Sequence, residues 1–505
     1  MLGVYFAVFL DSRMTPRRAD VVIARGPNSS RSMKSTQNIV AIDLGNSSGR
    51  VVLAQWNGER GTVREIYRFP NAYEERRGHV VWDTERIWSE LVEGVRAAAT
   101  ETHGRIASIG LDAWGAEYIL VDREGERVGE AFCLRDPRNV RAMERAFTIL
   151  PRKRIYEITG IQVMPVNTLY GLVAHLEESP EEWERAWVWL GTPEYYLYRM
   201  TGVPFAEWTN APNSQMMDAH AKTWSRELCD AFALSLDKFP PIVPTGTILG
   251  KLRPTLAGEL GLPNTQVIAP ACHDTASAVG AIPFPHDNLA FISSGTWSLV
   301  GTVLRKPLVS EVGYELNLTN EGGVGDTIRY LRNVIGLWVV QELLREWNEQ
   351  GIAVTAAQLA DQCMNTPIEG PYVDVSDEKT FLAPGNMAAR INAELQTRGF
   401  PEESRPRELA AIVFRSLARR YREVIEGLRQ TTGKPIEQVC IVGGGVKNEA
   451  LNRLAALSTG LEVVRGSSES TLIGNVAVQV SALENTRSLE EIQSIASRLT
   501  FEGEA

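Results

Sequence analysis

The stretch of sequence that decides the fold is Asn38–Trp56, which reads NIVAIDLGNSSGRVVLAQW. It begins with an apolar, β-branched run, continues through a short run of glycine, asparagine and serine, and becomes apolar again over Arg50–Trp56. This alternation predicts two strands joined by a tight turn. The dipeptide Asn57-Gly58 is typical of a hairpin turn, and it predicts a third strand over Thr62–Phe69.

A helix and another strand follow this three-stranded unit. The spacing of Ile87, Leu91 and Val95 predicts one face of a helix, and Ile106–Leu111 predicts a strand. The order is therefore three antiparallel strands, a helix, and a strand that meets the first one. This order predicts an α/β protein with a ribonuclease-H-like fold.

The second half of the chain repeats the plan. Leu289–Ser293 predicts a strand, Ser294–Thr296 a turn and Trp297–Leu304 a returning strand. Later, the strand Val439–Val442 runs into three glycines, Gly443–Gly445. Two copies of one plan predict two ribonuclease-H-like domains with a cleft between them.

Length and charge exclude several classes of protein. The chain has 505 residues, 44% of them hydrophobic, and a formal net charge of −10. This composition is ordinary for a globular protein, and it excludes wholesale disorder, a membrane bundle and binding of nucleic acid through bulk positive charge. The five cysteines are far apart, which fits a reducing compartment.

The domain boundaries follow from changes in composition. Residues 1–37 are read as a disordered or misassigned extension, since residues 1–36 carry a net charge of +4 in an acidic protein. Without that extension no targeting signal remains, and we expect a cytoplasmic protein. We expect an N-terminal domain over 38–281, mainly for the sugar, and a C-terminal domain over 282–505, mainly for the nucleotide. Prolines place the linker near 280–287, and the last helix is expected to pack back on the first domain.

The turn after the first strand is the strongest local motif. A glycine-rich turn exposes backbone N–H groups that can hold phosphate oxygens, and Asp43 at the end of the strand could hold Mg²⁺ through water. A plain hairpin turn is the alternative. The residues also resemble the Gly-x-Ser-x-Gly elbow of hydrolases, but that motif needs a helix where Arg50–Trp56 predicts a strand. Gly433-Lys434 is followed by proline, so there is no Walker A motif.

Other motifs have two interpretations each. Gly443–Gly445 would let an adenosine approach the backbone, or it is only a tight turn. Asp274, after a predicted strand, is either a catalytic carboxylate or a helix N-cap. Trp114 would line a sugar site or the core. The run Asn333–Trp338 is interpreted as an apolar helix face.

Together these motifs resemble the FGGY family of sugar kinases, which have the actin-like, two-lobed ATPase fold. The resemblance extends from about Ile39 to about Leu483. It rests on separate blocks that occur in order: Asp43–Arg50, Asp112–Gly115, Asn167–Tyr170, His273–Val279, Ser293–Leu299, Asn320–Gly323, Asn333–Gln341 and Val442–Gly445.

The resemblance implies phosphoryl transfer from MgATP to the 1-hydroxyl of L-rhamnulose, with Asp274 as the catalytic base. Asp43, at the end of the first strand, remains the candidate metal ligand. The implied ATP contacts are Asn46, Ser47, Ser48, Gly49, Arg50, Thr296, Gln341, Gly443, Gly444 and Gly445. The implied sugar contacts are Gly115, His273, Asp274, Thr275 and Asn333. The implied partners are a ketose and ATP, with no nucleic acid and no membrane, for a monomer or small homo-oligomer.

One departure leaves the exact ketose open. Where the family pattern has aspartate two positions after the Trp-Gly pair, this chain has Glu117. A longer carboxylate would move a hydrogen-bond acceptor by about one bond if it faces the sugar, or it lies outside the pocket. The alternatives are a kinase for L-fuculose or a pentulose, an actin- or chaperone-like ATPase that phosphorylates no sugar, and a catalytically inactive sugar sensor.

Overall fold

The computed structural model describes residues 36–282 and 288–503. Most of the predicted N-terminal extension, residues 1–35, and residues 283–287 of the predicted linker lie outside the described residues. In the described part of the chain, no helix is both long and apolar enough to cross a membrane. The five cysteines are all buried and unbonded.

The first lobe, residues 36–282, is built on a seven-stranded sheet. Its strands lie in the order β15 (Thr247–Lys251), β16 (Gln266–Ala269), β6 (Ser108–Ala113), β1 (Gln37–Leu44), β2 (Ser48–Trp56), β3 (Gly61–Pro70) and β23 (Leu499–Phe501). The last strand of the chain therefore completes the sheet of the first lobe. The strands of this lobe are β1 (Gln37–Leu44), β2 (Ser48–Trp56), β3 (Gly61–Pro70), β4 (Glu74–Arg76), β5 (His79–Trp82), β6 (Ser108–Ala113), β7 (Ile119–Val121), β8 (Arg127–Val128), β9 (Ala131–Phe132), β10 (Val188–Leu190), β11 (Ala206–Glu207), β12 (Met217–Asp218), β13 (Thr223–Trp224), β14 (Ile242–Val243), β15 (Thr247–Lys251) and β16 (Gln266–Ala269).

Helices cover this sheet and form much of an insertion between β9 and β15. They are α1 (Thr84–Glu101), α2 (Arg138–Ile149), α3 (Arg152–Thr159), α4 (Thr168–Glu178), α5 (Pro180–Arg185), α6 (Thr192–Thr201), α7 (Arg226–Ala231), α8 (Pro254–Leu260) and α9 (Asp274–Gly280). The side chain of Asp83 caps α1 by accepting from the backbone N–H of Arg86. Buried Ile87, Leu91 and Val95 form the predicted inward face of that helix.

The second lobe, residues 288–503, is built on a six-stranded sheet of order β19-β20-β18-β17-β21-β22. Its strands, with β23 of the first sheet, are β17 (Leu289–Ser294), β18 (Trp297–Leu304), β19 (Thr319–Gly323), β20 (Thr327–Ile335), β21 (Gln438–Val442), β22 (Glu462–Arg465) and β23 (Leu499–Phe501). Its helices are α10 (Glu311–Glu315), α11 (Trp338–Glu349), α12 (Ala356–Gln362), α13 (Glu378–Phe381), α14 (Met387–Thr397), α15 (Pro406–Thr432), α16 (Glu449–Thr459), α17 (Ser470–Leu483) and α18 (Leu489–Ala496).

The two sheets share one strand plan. In each sheet three antiparallel strands are followed by two strands parallel to the first: β3-β2-β1-β6-β16 in one lobe and β20-β18-β17-β21-β22 in the other. This repeated arrangement confirms the predicted α/β class and the ribonuclease-H-like plan of both lobes.

The sequence reading of Asn333–Trp338 as one helix face is wrong. Asn333, Val334 and Ile335 are the last residues of β20, and α11 begins only at Trp338. The N–H groups of Gly336 and Trp338 donate to the carbonyl of Thr296, and that of Leu337 donates to Gly295. These bonds turn the chain from strand to helix beside the β17–β18 turn.

The sheets meet through a shared apolar core in which α9 and α17 lie together. The crossing is close, because a Cβ atom on Gly474 would be 1.9 Å from the carbonyl oxygen of Ser277. Buried Asn475 and Gln479 of α17 donate hydrogen bonds to the first sheet, at Asp112 Oδ2 and at the carbonyl of Val40. The residues from Thr36 onward accordingly form one compact unit.

Candidate active site

A cavity of about 490 Å³ opens where the ends of both sheets face each other. Both predicted turns and the His273–Thr275 segment line it. The structure brings these predicted residues together in its lining: Asp43, Asn46, Ser47, Ser48, Arg50, Gly115, His273, Asp274, Thr275, Thr296, Asn333, Gln341, Gly443 and Gly444. Two predicted residues, Gly49 and Gly445, are not part of the lining.

The turn between β1 and β2 is held in place from below. The N–H of Gly45 donates to the carbonyl of Ser48 at 3.0 Å. Asn71 braces the same turn twice, since its N–H donates to Ser47 and its Nδ2 donates to Gly45. Gly49, next to the turn, leaves room for the ring of Phe69. A Cβ atom on Gly49 would be 2.0 Å from Cζ of that ring. The turn is therefore a fixed edge of the cavity.

Arg50 joins the first lobe to the second. Its Nη2 atom is 2.5 Å from Oδ2 of Asp43, and its Nη1 atom donates to Oε2 of Glu469 at the start of α17. Both carboxylates raise the pKa of Arg50, so the guanidinium remains charged at any pH of interest. Glu469 is a partner that the sequence reading did not assign to this site.

Asp112 is buried beside the cavity, close enough to two cavity carboxyl groups, Asp43 and Asp274, for their charges to affect it. Asp43 lies opposite Asp112 in the β1–β6 register. Burial raises the pKa of Asp112, and the nearby Asp43 and Asp274 raise it further. Asn475 partly offsets this effect by donating to Asp112 at 2.6 Å. The first lobe thus places several carboxyl groups close together beside the cavity, and the burial and mutual repulsion of these groups favour the protonated form of Asp112.

Asp274 is the first residue of α9, immediately after the predicted strand-to-helix junction. Its Oδ1 atom accepts hydrogen bonds from the N–H and the hydroxyl of Thr275, at 2.5 and 3.0 Å. Burial raises the pKa of this carboxyl to about 7, with a further contribution from Asp43. The side chain lines the cavity. It does not act as an N-cap, because His273 occupies the N-cap position. A carboxyl with a pKa near neutrality is suited to accept a proton from a hydroxyl group.

A polar network from the second lobe reaches this carboxyl. Nδ2 of Asn333 donates to Glu321 at 3.1 Å, and Arg329 is 3.1 Å from Glu321 and 2.8 Å from Nδ1 of His273. Nε2 of His273 is 3.6 Å from Oδ1 of Asp274. The sequence reading missed Glu321 and Arg329. They are paired across the neighbouring strands β19 and β20, and this pairing is visible only after the strands are assigned.

The second turn and the glycine run form the opposite wall. The hydroxyl of Thr296 is 3.4 Å from Oε1 of Gln341, so both predicted nucleotide contacts are adjacent. Gly443 has a φ of 81°, a left-handed conformation that favours glycine. A Cβ on Gly445 would be 2.0 Å from Oγ of Ser294, which explains this glycine by packing against the turn.

Glu117 lies behind the cavity wall. Its Oε1 atom accepts hydrogen bonds from Nε1 of Trp82 at 3.0 Å and from the N–H of Leu134 at 2.8 Å. The ring of Trp82 stacks on Trp114, which lines the cavity along with Leu134. From the sequence, Glu117 either faces the sugar or lies outside the pocket. The second interpretation is correct, because this side chain lies behind the residues that line the cavity.

Comparison with known proteins agrees with this geometry. Residues 38–280 match the N-terminal domain of the FGGY family of carbohydrate kinases, and residues 290–483 match its C-terminal domain. The chain belongs to the FGGY family of carbohydrate kinases. It is therefore an enzyme that transfers a phosphoryl group from ATP to an alcohol group.

Similar proteins support the assignment over nearly the whole chain. A protein from Oceanobacillus iheyensis named rhamnulokinase is 35% identical over 457 residues, which cover 90% of this chain and 95% of that protein. A protein from an Enterobacter species with the same name is 36% identical over 463 residues, 91% and 92% of the two chains. The solved structure of a xylulose kinase from Lactobacillus acidophilus has the same fold, with a TM-score of 0.75, 18% identity and 91% and 92% of the chains covered.

Proposed function

We propose that this FGGY kinase phosphorylates the 1-hydroxyl of L-rhamnulose, giving L-rhamnulose 1-phosphate and ADP. The proposal is supported by relatives named rhamnulokinase that align with about nine-tenths of the chain. The structural observation that carries it is Asp274, a carboxyl with a pKa raised to about 7 that lines the same cavity as the two glycine-containing turns.

Asp274 would act as the general base. A sugar hydroxyl is a weak nucleophile, and a carboxylate within hydrogen-bonding reach can accept its proton as the new O–P bond forms. Gly115, His273, Thr275 and Asn333 line the same cavity as Asp274 and would orient the sugar. Orientation of the hydroxyl in line with the γ-phosphoryl group is expected to supply much of the acceleration.

The phosphates of ATP would lie between the two turns. Asn46–Ser48 would offer N–H and hydroxyl donors from the first lobe, with Arg50 beside them, and Thr296 and Gln341 would contact ATP from the second. Gly443 and Gly444 would allow close approach of the adenosine, since no atom lies within 4 Å of a Cβ built on Gly444. On this proposal residues 38–281 mainly bind the sugar and residues 282–505 mainly bind the nucleotide.

The carboxyl groups of the first lobe fit a magnesium ion brought in with ATP. Among residues 36–282 and 288–503 no group of three or more histidine, cysteine or carboxylate side chains could hold a metal alone. Mg²⁺ commonly keeps several waters and takes one or two carboxylates together with substrate phosphates. Asp43 lines the cavity and is the residue proposed to hold it, and the ion would neutralise charge on the transferred group.

The proposed substrates are small polar metabolites, which fits a cytoplasmic enzyme that works as a monomer or a small homo-oligomer. No partner beyond the ketose and ATP is needed for the proposed reaction.

ADP release across a panel of ketoses tests the substrate. With MgATP, we expect the highest kcat/KM for L-rhamnulose among L-rhamnulose, L-fuculose, L-ribulose, L-xylulose and D-xylulose. A preference for another ketose would retain the kinase and reject the substrate. ADP release that is equal with and without sugar would instead favour an actin-like ATPase and reject the proposal entirely.

A further inference from the structure

A buried arginine of the second lobe contacts the residue that precedes the proposed base. Arg329 lies on β20, and its side chain is only 1% exposed. Its Nε atom donates to the carbonyl of Gly322 at 2.7 Å, and Glu321 is its ion-pair partner. Its Nη2 atom lies 2.8 Å from Nδ1 of His273, which belongs to the first lobe. The family resemblance assigns no role to Arg329.

This contact determines which nitrogen of His273 carries a proton. A guanidinium group has only donors, so Nδ1 of His273 must accept and cannot itself be protonated. Burial lowers the pKa of His273, and the positive charge of Arg329 lowers it further, so the ring is neutral. The single ring proton is therefore on Nε2, which lies 3.6 Å from Oδ1 of Asp274.

The Nε2–H form has a chemical consequence for the site. With the opposite tautomer, the Nε2 lone pair would face the cavity and provide a second proton acceptor beside Asp274. With a proton on Nε2, His273 can only donate, either to the carboxylate or to a sugar oxygen. Asp274 is then the one side chain of this pair that can accept the proton of the reacting hydroxyl.

We propose that Arg329 is a positioning residue for phosphoryl transfer: from the second lobe it holds His273 as an Nε2–H donor beside Asp274. This inference rests on the proposed sugar kinase function for its catalytic meaning. The contact joins the two lobes. Nε2 of His273 is therefore held as a donor only while β20 and the start of α9 keep their observed relative position. A purely structural ion pair between Arg329 and Glu321 is the competing account.

The tautomer can be measured directly in the full-length protein. We would label histidine with ¹⁵N, record long-range ¹H–¹⁵N spectra at pH 7.5 without substrate, and assign His273 by its loss in His273→Gln. We expect a protonated Nε2 and an unprotonated Nδ1. A protonated Nδ1, or a doubly protonated ring, would overturn the proposal. This readout needs no sugar, so it separates failure of this inference from failure of the proposed function.

Substitution of Arg329 then tests the cause. Arg329→Lys keeps a donor, and we expect the same tautomer with kcat within about tenfold of the wild type. Arg329→Gln can also accept a hydrogen bond, so we expect mixed tautomers and a kcat lowered up to about 100-fold through misplacement, with an unchanged KM for ATP. An unchanged tautomer and kcat in folded Arg329→Gln would support the structural account. If Arg329→Gln does not fold, the tautomer of the wild type and the tautomer and kcat of Arg329→Lys still test the proposal.

A matched control and a rescue complete the test. Arg332 is on the same strand, and its Nη1 donates to the carbonyl of Leu316. Arg332→Lys should therefore change neither the tautomer nor kcat. The amide nitrogen of His273→Gln reaches about as far as Nε2, whereas that of His273→Asn reaches only as far as Nδ1. We expect at least tenfold more activity in His273→Gln, and equal activities would contradict the need for a donor.

Discussion

The two lobes have the same strand plan, but they carry different chemistry at equivalent positions. In the first sheet Asp43 pairs with Asp112 in the parallel ladder before the turn. In the second sheet the equivalent pair is Ser293 and Val442. At these equivalent positions the first lobe therefore supplies carboxyl groups, and the second supplies a hydroxyl group and an apolar side chain. The duplicated fold provides two similar edges, and on the proposed function a few side chains decide which edge would take part in proton transfer and metal binding.

Removal of the proposed base should have the largest effect. Asp274→Asn removes the proton acceptor but keeps the size of the side chain. We therefore expect the rate of phosphoryl transfer to fall about 10²–10⁴-fold. ATP affinity should hardly change, because Asp274 is not one of the proposed nucleotide contacts. Rapid-quench kinetics and calorimetry would measure the two quantities. Asp230→Asn, an exposed carboxyl change on α7, is the control, and comparable rates for both variants would reject Asp274 as the base.

Equivalent positions of the two lobes should respond unequally. Asp43→Asn removes the proposed metal ligand and one partner of Arg50, and we expect a loss of roughly 100-fold or more in kcat together with a weaker dependence on Mg²⁺. Ser293→Ala, at the equivalent position of the second sheet, should cost less than about tenfold. Initial rates over a Mg²⁺ titration would measure both. Equal losses would show that the division of chemistry between the lobes is wrong.

The glycine run provides a finer test within the second lobe. Gly445→Ala places a Cβ against Ser294, so we expect about 1–3 kcal/mol of destabilisation and a displaced second turn. The KM for ATP should rise as a result. Gly444→Ala meets no atom within 4 Å and should leave stability nearly unchanged. Thermal unfolding and ATP titrations would compare the pair, and a larger loss for Gly444→Ala would contradict the packing argument.

Glu117 should have the smallest effect on the chemical step and a clear effect on stability. Burial raises its pKa to about 7, so the folded protein keeps a proton that the unfolded chain has released above its ordinary pKa of 4.5. Its contribution to stability is therefore full below about pH 4.5 and is lost as the pH rises through 7. Glu117→Gln should remove this part of the pH dependence.

The melting temperatures of the wild type and Glu117→Gln would be compared at pH 5 and pH 8. We expect the difference between the two melting temperatures to change with pH. The melting temperature of the wild type should fall relative to that of Glu117→Gln between pH 5 and pH 8. The ketose preference should remain the same, because this carboxylate does not line the cavity. A constant difference in melting temperature would contradict the raised pKa.

Local patterns predicted the elements that carry the chemistry. The β1–β2 turn, the β17–β18 turn and the junction before Asp274 each show a change in apolar periodicity next to small polar residues. Such signals depend on neighbours in the chain, and for this reason both turns and the junction before Asp274 could be predicted from the sequence. The preference for Asp274 as a base over an N-cap came only from the family resemblance. The duplication was visible for the same reason.

The network around the base could not be predicted locally. Arg329 and His273 are 56 residues apart, and only the folded lobes bring them together. The sequence of Asn333–Trp338 wrongly predicts one helix face, because the apolar end of β20 and the apolar start of α11 follow each other closely in this segment. Glu117 follows Ala116, whose φ of 69° is unusual for a residue with a Cβ, and no sequence signal showed that the chain turns the carboxylate away from the cavity.

The most direct test of the account is the product formed by the wild type and by Asp274→Asn in a single turnover. L-Rhamnulose, MgATP and excess enzyme would be mixed, and the product analysed by ³¹P–¹H correlation spectroscopy. We predict one new phosphate ester coupled to the C1 protons of the sugar with the wild type, and none on the same time scale with Asp274→Asn. The same ester formed at the wild-type rate by Asp274→Asn, or ADP without any sugar phosphate from the wild type, would contradict the account.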